Sequence, residues 1–148
     1  MLYQALYVPE GGEPFPREIV YQPQIRRYVE HWGLADDIGV IAIEDSHKPI
    51  GAAWVRLLTG ENKGYRYVDN LTPELTIAVL PEYRRCGIGT RLLLQLLAIV
   101  ESHYGAISLS VAAENPAVRL YQRFGFQVVG SSGGSLTMVR KLDSKKCV

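Results

Sequence analysis

Arg84, Gly87 and Gly89 share one short run, Arg84-Arg85-Cys86-Gly87-Ile88-Gly89, between an apolar segment and a leucine-rich one. Such a joint can bind an anion. The first N–H groups of a helix lack intrahelical partners, the helix dipole makes that end positive, and a phosphate there meets several aimed donors. Gly87 and Gly89 remove the Cβ atoms that would hold a diphosphate away, and they permit unusual backbone angles. Arg84 and Arg85 supply charge nearby, or form a solvated surface pair. Two other phosphate loops are absent. Leu92 stands where G-x-G-x-x-G needs its third glycine, and no Lys-Ser or Lys-Thr follows the glycines.

A second group follows downstream. In Glu114-Asn115-Pro116-Ala117-Val118-Arg119-Leu120-Tyr121, Asn115 can cap free N–H groups and Pro116 suits the first helical position. Tyr121 reads either as a half-buried aromatic or as a proton donor. Glu74, at the start of an apolar segment, is either a strand-end carboxylate or a base. Cys86 sits near a helix N-terminus, where thiol pKa falls, but no histidine lies beside it. His31, His47 and His103 lack metal-ligand spacing, so no metal is expected.

The segment Glu74-Leu-Thr-Ile-Ala-Val-Leu-Pro-Glu-Tyr-Arg84-Arg-Cys-Gly-Ile-Gly-Thr90 resembles motif A of the GNAT superfamily, [QR]-x-x-G-x-[GA]. The common form has Gly where this chain has Arg85. Leu120-Tyr121-Gln122-Arg123-Phe124-Gly125-Phe126 resembles motif B, with Asn115 one residue closer to the tyrosine than in the form most often written. The resemblance covers residues 73–130. It implies an acetyl-CoA-dependent N-acetyltransferase in which Arg84, Arg85, Cys86, Gly87, Ile88, Gly89 and Thr90 surround the pyrophosphate. Ile77, Val79 and Leu80 would pair with the pantetheine arm through their main chain, and Asn115 would touch it from the other side. A neutral amine would attack the thioester directly. Val79 N–H would bind the oxyanion, Tyr121 would protonate the departing thiolate, and Glu74 would deprotonate the amine, directly or through water. The acceptor would be a small-molecule, peptide or protein amine. Homodimers are common in the family, and the C-terminal strands could mediate one. The rival function is a non-catalytic CoA-binding sensor or scaffold.

These residues need elements to hold them. Residues 2–8 alternate loosely as an edge strand, 9–16 form a loop rich in Gly and Pro, and 17–32 read as a helix interrupted near Pro23. Residues 38–44 and 50–58 suggest an antiparallel hairpin. A polar loop at 59–72 carries Tyr65, Tyr67 and Asp69, where an acceptor could be gripped. Residues 74–80 form the fourth strand. Leu92, Leu93, Leu96, Leu97 and Val100 give residues 89–103 one apolar helical face. A strand at 106–112, a helix at 116–124, and strands at 126–130 and 135–141 complete the chain.

This order predicts a mixed sheet covered by helices. With the resemblance, it implies one α/β domain over residues 1–148. The sheet would have about six or seven mostly antiparallel strands, splayed between the fourth and fifth, with helices on both faces.

The formal charge is +1, from 16 basic and 15 acidic residues, which gives no footprint for nucleic acid. Cys86 and Cys147 form no disulfide framework, which fits a reducing compartment. The start shows no signal peptide. The most apolar stretch, Leu92 to Val100, falls short of the roughly 20 residues that span a bilayer. A cytoplasmic location without membrane attachment is expected.

Overall fold

The computed structural model describes residues 1–8, 11–57 and 72–142. The loop with Tyr65, Tyr67 and Asp69 lies outside them, as does the tail with Cys147. Six strands form one sheet: β1 (Ile38–Ile43), β2 (Pro49–Arg56), β3 (Glu74–Val79), β4 (Ala106–Ala112), β5 (Gln127–Ser132) and β6 (Ser135–Lys141), in the order β1-β2-β3-β4-β6-β5. All neighbours are antiparallel except β3 and β4.

The parallel seam holds the fold's main irregularity. β3 keeps β2 as its partner from Arg56↔Glu74 through Gly51↔Val79. β4 keeps β6 from Ala106↔Lys141 through Ala112↔Ser135. Between β3 and β4 the only register pair is Glu74↔Ser108. Each strand thus has a full partner on its outer side, and the two diverge beyond one bridge into a wedge-shaped gap.

Helix α2 (Ile88–Val100) covers one face. Its leucines at i, i+3/i+4 spacing put Leu92, Leu93, Leu96 and Leu97 into one cluster. Ala53 and Val55 of β2 join it, with Ile107, Leu109 and Val111 of β4, Met138 of β6, and Tyr121 and Phe126. Burying each large aliphatic side chain there stabilises by about 1.5–3 kcal/mol. Helix α3 (Ala117–Arg123) contributes Tyr121 to the same cluster.

Helix α1 (Pro23–Arg26) and the turn after it pack on the other face. Trp54 and Arg56 of β2, whose side chains point away from Ala53 and Val55, bond the carbonyls of Tyr28 and Arg27 at 3.0 and 2.9 Å.

Two N-terminal expectations need correction. Residues 2–8 are not a strand: Leu2–Ala5 is a 3-10 turn. Gln4 N–H donates to Met1 O, Leu6 N–H donates to Tyr3 O, and Gln4 O accepts from Arg84 Nη2 at 3.2 Å. These backbone groups find partners within their own turn and in the Arg84 side chain, and need no neighbouring strand. The observed sheet therefore has six strands among the described residues, and the splay falls between its third and fourth. They are the expected pair in sequence, residues 74–80 and 106–112. Residues 17–32 also split, into a 3-10 segment (Arg17–Tyr21) and α1. Gln22 between them is extended, at φ −67° and ψ 135°, because a residue before proline avoids the helical region.

Candidate active site

The chain leaves β3 through a short 3-10 turn at Pro81–Tyr83 and reaches α2 through two left-handed residues, Arg85 at φ 64° and Gly87 at φ 79°. Arg85 carries a Cβ in a conformation that costs an L-residue about 1–2 kcal/mol. This explains why glycine suits its place in the common motif. Gly87 precedes α2, with no side-chain cap and no acidic residue in the first turn. The N–H groups opening this thirteen-residue helix therefore face outward with no carboxylate from that turn competing for them.

Gly89 adds a separate clue. Its φ is not positive, and a Cβ there would meet Ile77 Cδ1 and Leu120 Cδ2 only at 3.9 Å, an ordinary contact. Neither backbone nor internal packing requires glycine. Its bare surface suits a group approaching from outside. The same two neighbours show that β3, the start of α2, and α3 converge here.

Strand parity decides what the gap is lined with. Leu80 N–H donates to Ile50 O at 2.9 Å, on the β2 side, and Ser108 N–H donates to Pro73 O at 3.0 Å, on the β4 side. Main-chain groups alternate in direction along a strand. Ile77 and Val79 therefore aim theirs toward β4, which no longer pairs with them. Val79 O accepts from Arg84 Nε at 3.0 Å, which leaves Val79 N–H directed into the gap. Leu80 departs from the sequence expectation. Its N–H goes to β2 and its carbonyl accepts from Tyr83 N–H at 2.9 Å, so its main chain is engaged inside the fold.

Arg84 also departs in part, since its guanidinium folds back on Val79 O and Gln4 O. Arg85 stays exposed and makes no ion pair among the described residues. Cys86 is exposed, with its thiol 3.5 Å from Arg84 O. Ile88 and Thr90 are half-buried in the first turn of α2.

Asn115 caps α3, with Oδ1 accepting from Ala117 N–H at 2.9 Å. Tyr121 is buried, and its ring meets Phe126 edge-on with centroids 5.8 Å apart. Burial pushes its phenol well above the ordinary tyrosine value, which keeps the proton on at neutral pH. Glu74 is buried at the closed end of the gap and accepts from Tyr28 Oη–H at 2.9 Å. It shares its face of the sheet with its cross-strand partner Arg56. Val79 lies five positions further along β3, about 16 Å along an extended strand. The structure thus gathers the glycine turn, Val79 and α3 at the open end, with Glu74 at the closed one.

Sequence reasoning missed the network around Glu74. Arg56 donates through Nε and Nη2 to the two carboxylate oxygens of Asp37, at 3.0 and 3.1 Å. Its guanidinium also lies 5.7 Å from the centroid of the Trp32 ring. Burial works to raise the Asp37 carboxyl. The bonds from Arg56 and from Gly33 and Leu34 N–H outweigh it and hold the group below its usual range. The available signal was a charged residue closing the apolar run Ala52-Ala53-Trp54-Val55. Among the described residues no His, Cys, Asp or Glu cluster could hold a metal, and no helix is long and apolar enough to cross a membrane.

Comparison with known proteins fits this geometry. The N-alpha-acetyltransferase 50 of Danio rerio is 34% identical over 83 residues, 54% of this chain and 46% of its own length. The chain thus spans about half of that relative. The structure of smu.2055 from Streptococcus mutans UA159 superposes with a TM-score of 0.64 at 23% identity, over 96% of this chain and 90% of the other. That of yncA from Salmonella typhimurium, a putative acetyltransferase solved with its cofactor acetyl-CoA, gives 0.58 at 22%, over 73% and 66%. The family model of the GNAT acetyltransferases matches residues 3–126. The chain belongs to that family.

Proposed function

We propose that this protein transfers an acetyl group from acetyl-CoA to a primary amine, by direct attack within a ternary complex. The observation that carries the reading is the wedge between β3 and β4, opened after a single bridge, with an uncapped helix N-terminus and a glycine turn at its mouth. That arrangement suits a long thioester ending in a diphosphate.

In this reading the N–H groups of Cys86, Gly87, Ile88, Gly89 and Thr90 hold the pyrophosphate, with Arg85 adding charge. Ile77 offers main-chain groups to the pantetheine arm, and Asn115 fixes the start of α3 beside it. Val79 N–H donates to the carbonyl oxygen as negative charge develops there. Losing one such donor typically costs about 100–1,000-fold in rate. Tyr121 keeps its proton because it is buried, and it is the group that hands a proton to the thiolate as the C–S bond breaks. Glu74 takes the proton of the amine through a chain of waters, since about 16 Å of strand lies between it and Val79. Holding both substrates in register supplies further acceleration.

The relative's name makes a peptide α-amine the first acceptor to test. Free-thiol release from acetyl-CoA is followed with a short peptide, with spermidine and with no acceptor. Release with at least one amine supports the proposal. Acetyl-CoA binding without release from any acceptor overturns it in favour of a sensor. Tyr121→Phe is expected to lower kcat about 100-fold, with the Kd for acetyl-CoA unchanged by calorimetry. An unaltered kcat removes Tyr121 from its role.

A further inference from the structure

We infer that Tyr28 is a positioning residue for Glu74, fixing the carboxylate's orientation and holding it in its ionised, proton-accepting form; the inference rests on the reading of Glu74 as the base. Three observations carry it.

First, the contact joins groups 46 positions apart in sequence, both buried, at 2.9 Å. A phenol O–H bonds a charged carboxylate oxygen more strongly than a neutral carboxyl oxygen, so the bond favours the charged state.

Second, Tyr28 is held at both ends. It lies in the turn after α1, which runs through Tyr28 N–H to Ile25 O and Val29 N–H to Arg26 O. The carbonyls ending a short helix lack intrahelical partners. Here β2 supplies them: Trp54 Nε1–H donates to Tyr28 O and Arg56 Nη1–H donates to Arg27 O. Two side chains from one face of one strand grip consecutive carbonyls. The phenol thus projects from a fixed base onto a residue of the adjacent strand, β3.

Third, the groups facing Glu74 divide their work. Among the described residues these are Tyr28 from the turn, Arg56 from β2 and Ser108 from β4. Arg56 directs two of its donors to Asp37, whose charge compensates its own. Ser108 sends its hydroxyl to Pro73 O at 3.4 Å. Tyr28 aims its only side-chain donor at the Glu74 carboxylate.

The test reads Glu74 directly and needs no acceptor. The full chain is labelled with carboxyl-13C glutamate, and the Glu74 signal is assigned by its loss in Glu74→Gln. In Tyr28→Phe the Glu74 titration midpoint is expected to rise by about one pH unit, because a bond to the ionised form is lost. A second variant carries 3-fluorotyrosine at position 28. It keeps the ring and strengthens the donor, so the midpoint should fall; it also decides the matter if Tyr28→Phe does not fold. A midpoint that moves in neither variant overturns the inference. The base reading is tested separately: Glu74→Gln should abolish the acid limb of the kcat profile with whichever amine releases thiol. If that limb persists while the Tyr28 variants move the midpoint, the base assignment fails and the positioning stands.

Discussion

The two ends of β3 solve opposite problems. At the open end, Ile77 and Val79 turn main-chain groups toward a gap that β4 has left, and the turn beyond is built from glycine and bare N–H groups. At the closed end, Glu74 lies among interlocked side chains, with Tyr28 bonded to it and Arg56 paired to Asp37 nearby. One end works by lacking side chains and the other by fitting them together. A substitution should therefore harm them differently: ligand binding suffers at the first and folding at the second.

The largest expected effect sharpens the closed end. Asp37→Asn leaves the Arg56 charge buried without its counter-ion and should destabilise the fold by about 3–5 kcal/mol at pH 7, read from urea midpoints. The pH dependence follows from the depressed Asp37 carboxyl. A group with a lowered folded-state pKa stabilises above its unfolded value of about 3.9 and loses that contribution as pH falls below it. The gap between wild type and Asp37→Asn should therefore narrow under acid.

The next effect belongs to the open end. Gly89→Glu places a carboxylate in the first turn of α2, which favours the helix by about 0.3–1 kcal/mol, with room for its Cβ. Thermal stability should hold or rise. Acetyl-CoA affinity should fall about 100-fold or more, because like charges then meet. Equal losses of stability and affinity would erase the contrast between the ends.

The smallest effect comes from Arg85→Gly. Relief of the left-handed strain, about 1–2 kcal/mol, is offset by the freedom glycine adds to the unfolded chain, about 0.4–1 kcal/mol. A net gain of about 0.5 kcal/mol is expected from a thermal melt. A loss of stability would mean that the Arg85 side chain supports the turn.

The same contrast explains what could be read from the residues alone. The glycine turn was legible because its requirements, no Cβ and a helix just after, are local. Strand β4 was placed at its observed bounds because Ile107, Leu109 and Val111 alternate strictly into the buried cluster. The closed end was not legible. Tyr28 and Glu74, or Asp37 and Arg56, meet only once topology brings distant segments to one face, and nothing in either segment names the other. Residues 2–8 went wrong for a related reason: alternation suggests a strand, but a strand also needs a neighbour. Leu80 was misplaced by one step of strand parity, which depends on which side β2 lies.

The cluster beneath the sheet has a consequence for the cost of binding. Leucines of α2 share one buried cluster with Ala53 and Val55 in one half of the sheet and with Ile107 and Leu109 in the other. Packed aliphatic volume shared by the two halves therefore underlies the wedge. A molecule entering the gap need not separate two paired strands or order a loose wall. Rigidity established during folding lowers the entropy that association would otherwise lose, and the shape of the gap proposed to take the acyl donor is decided in the hydrophobic core.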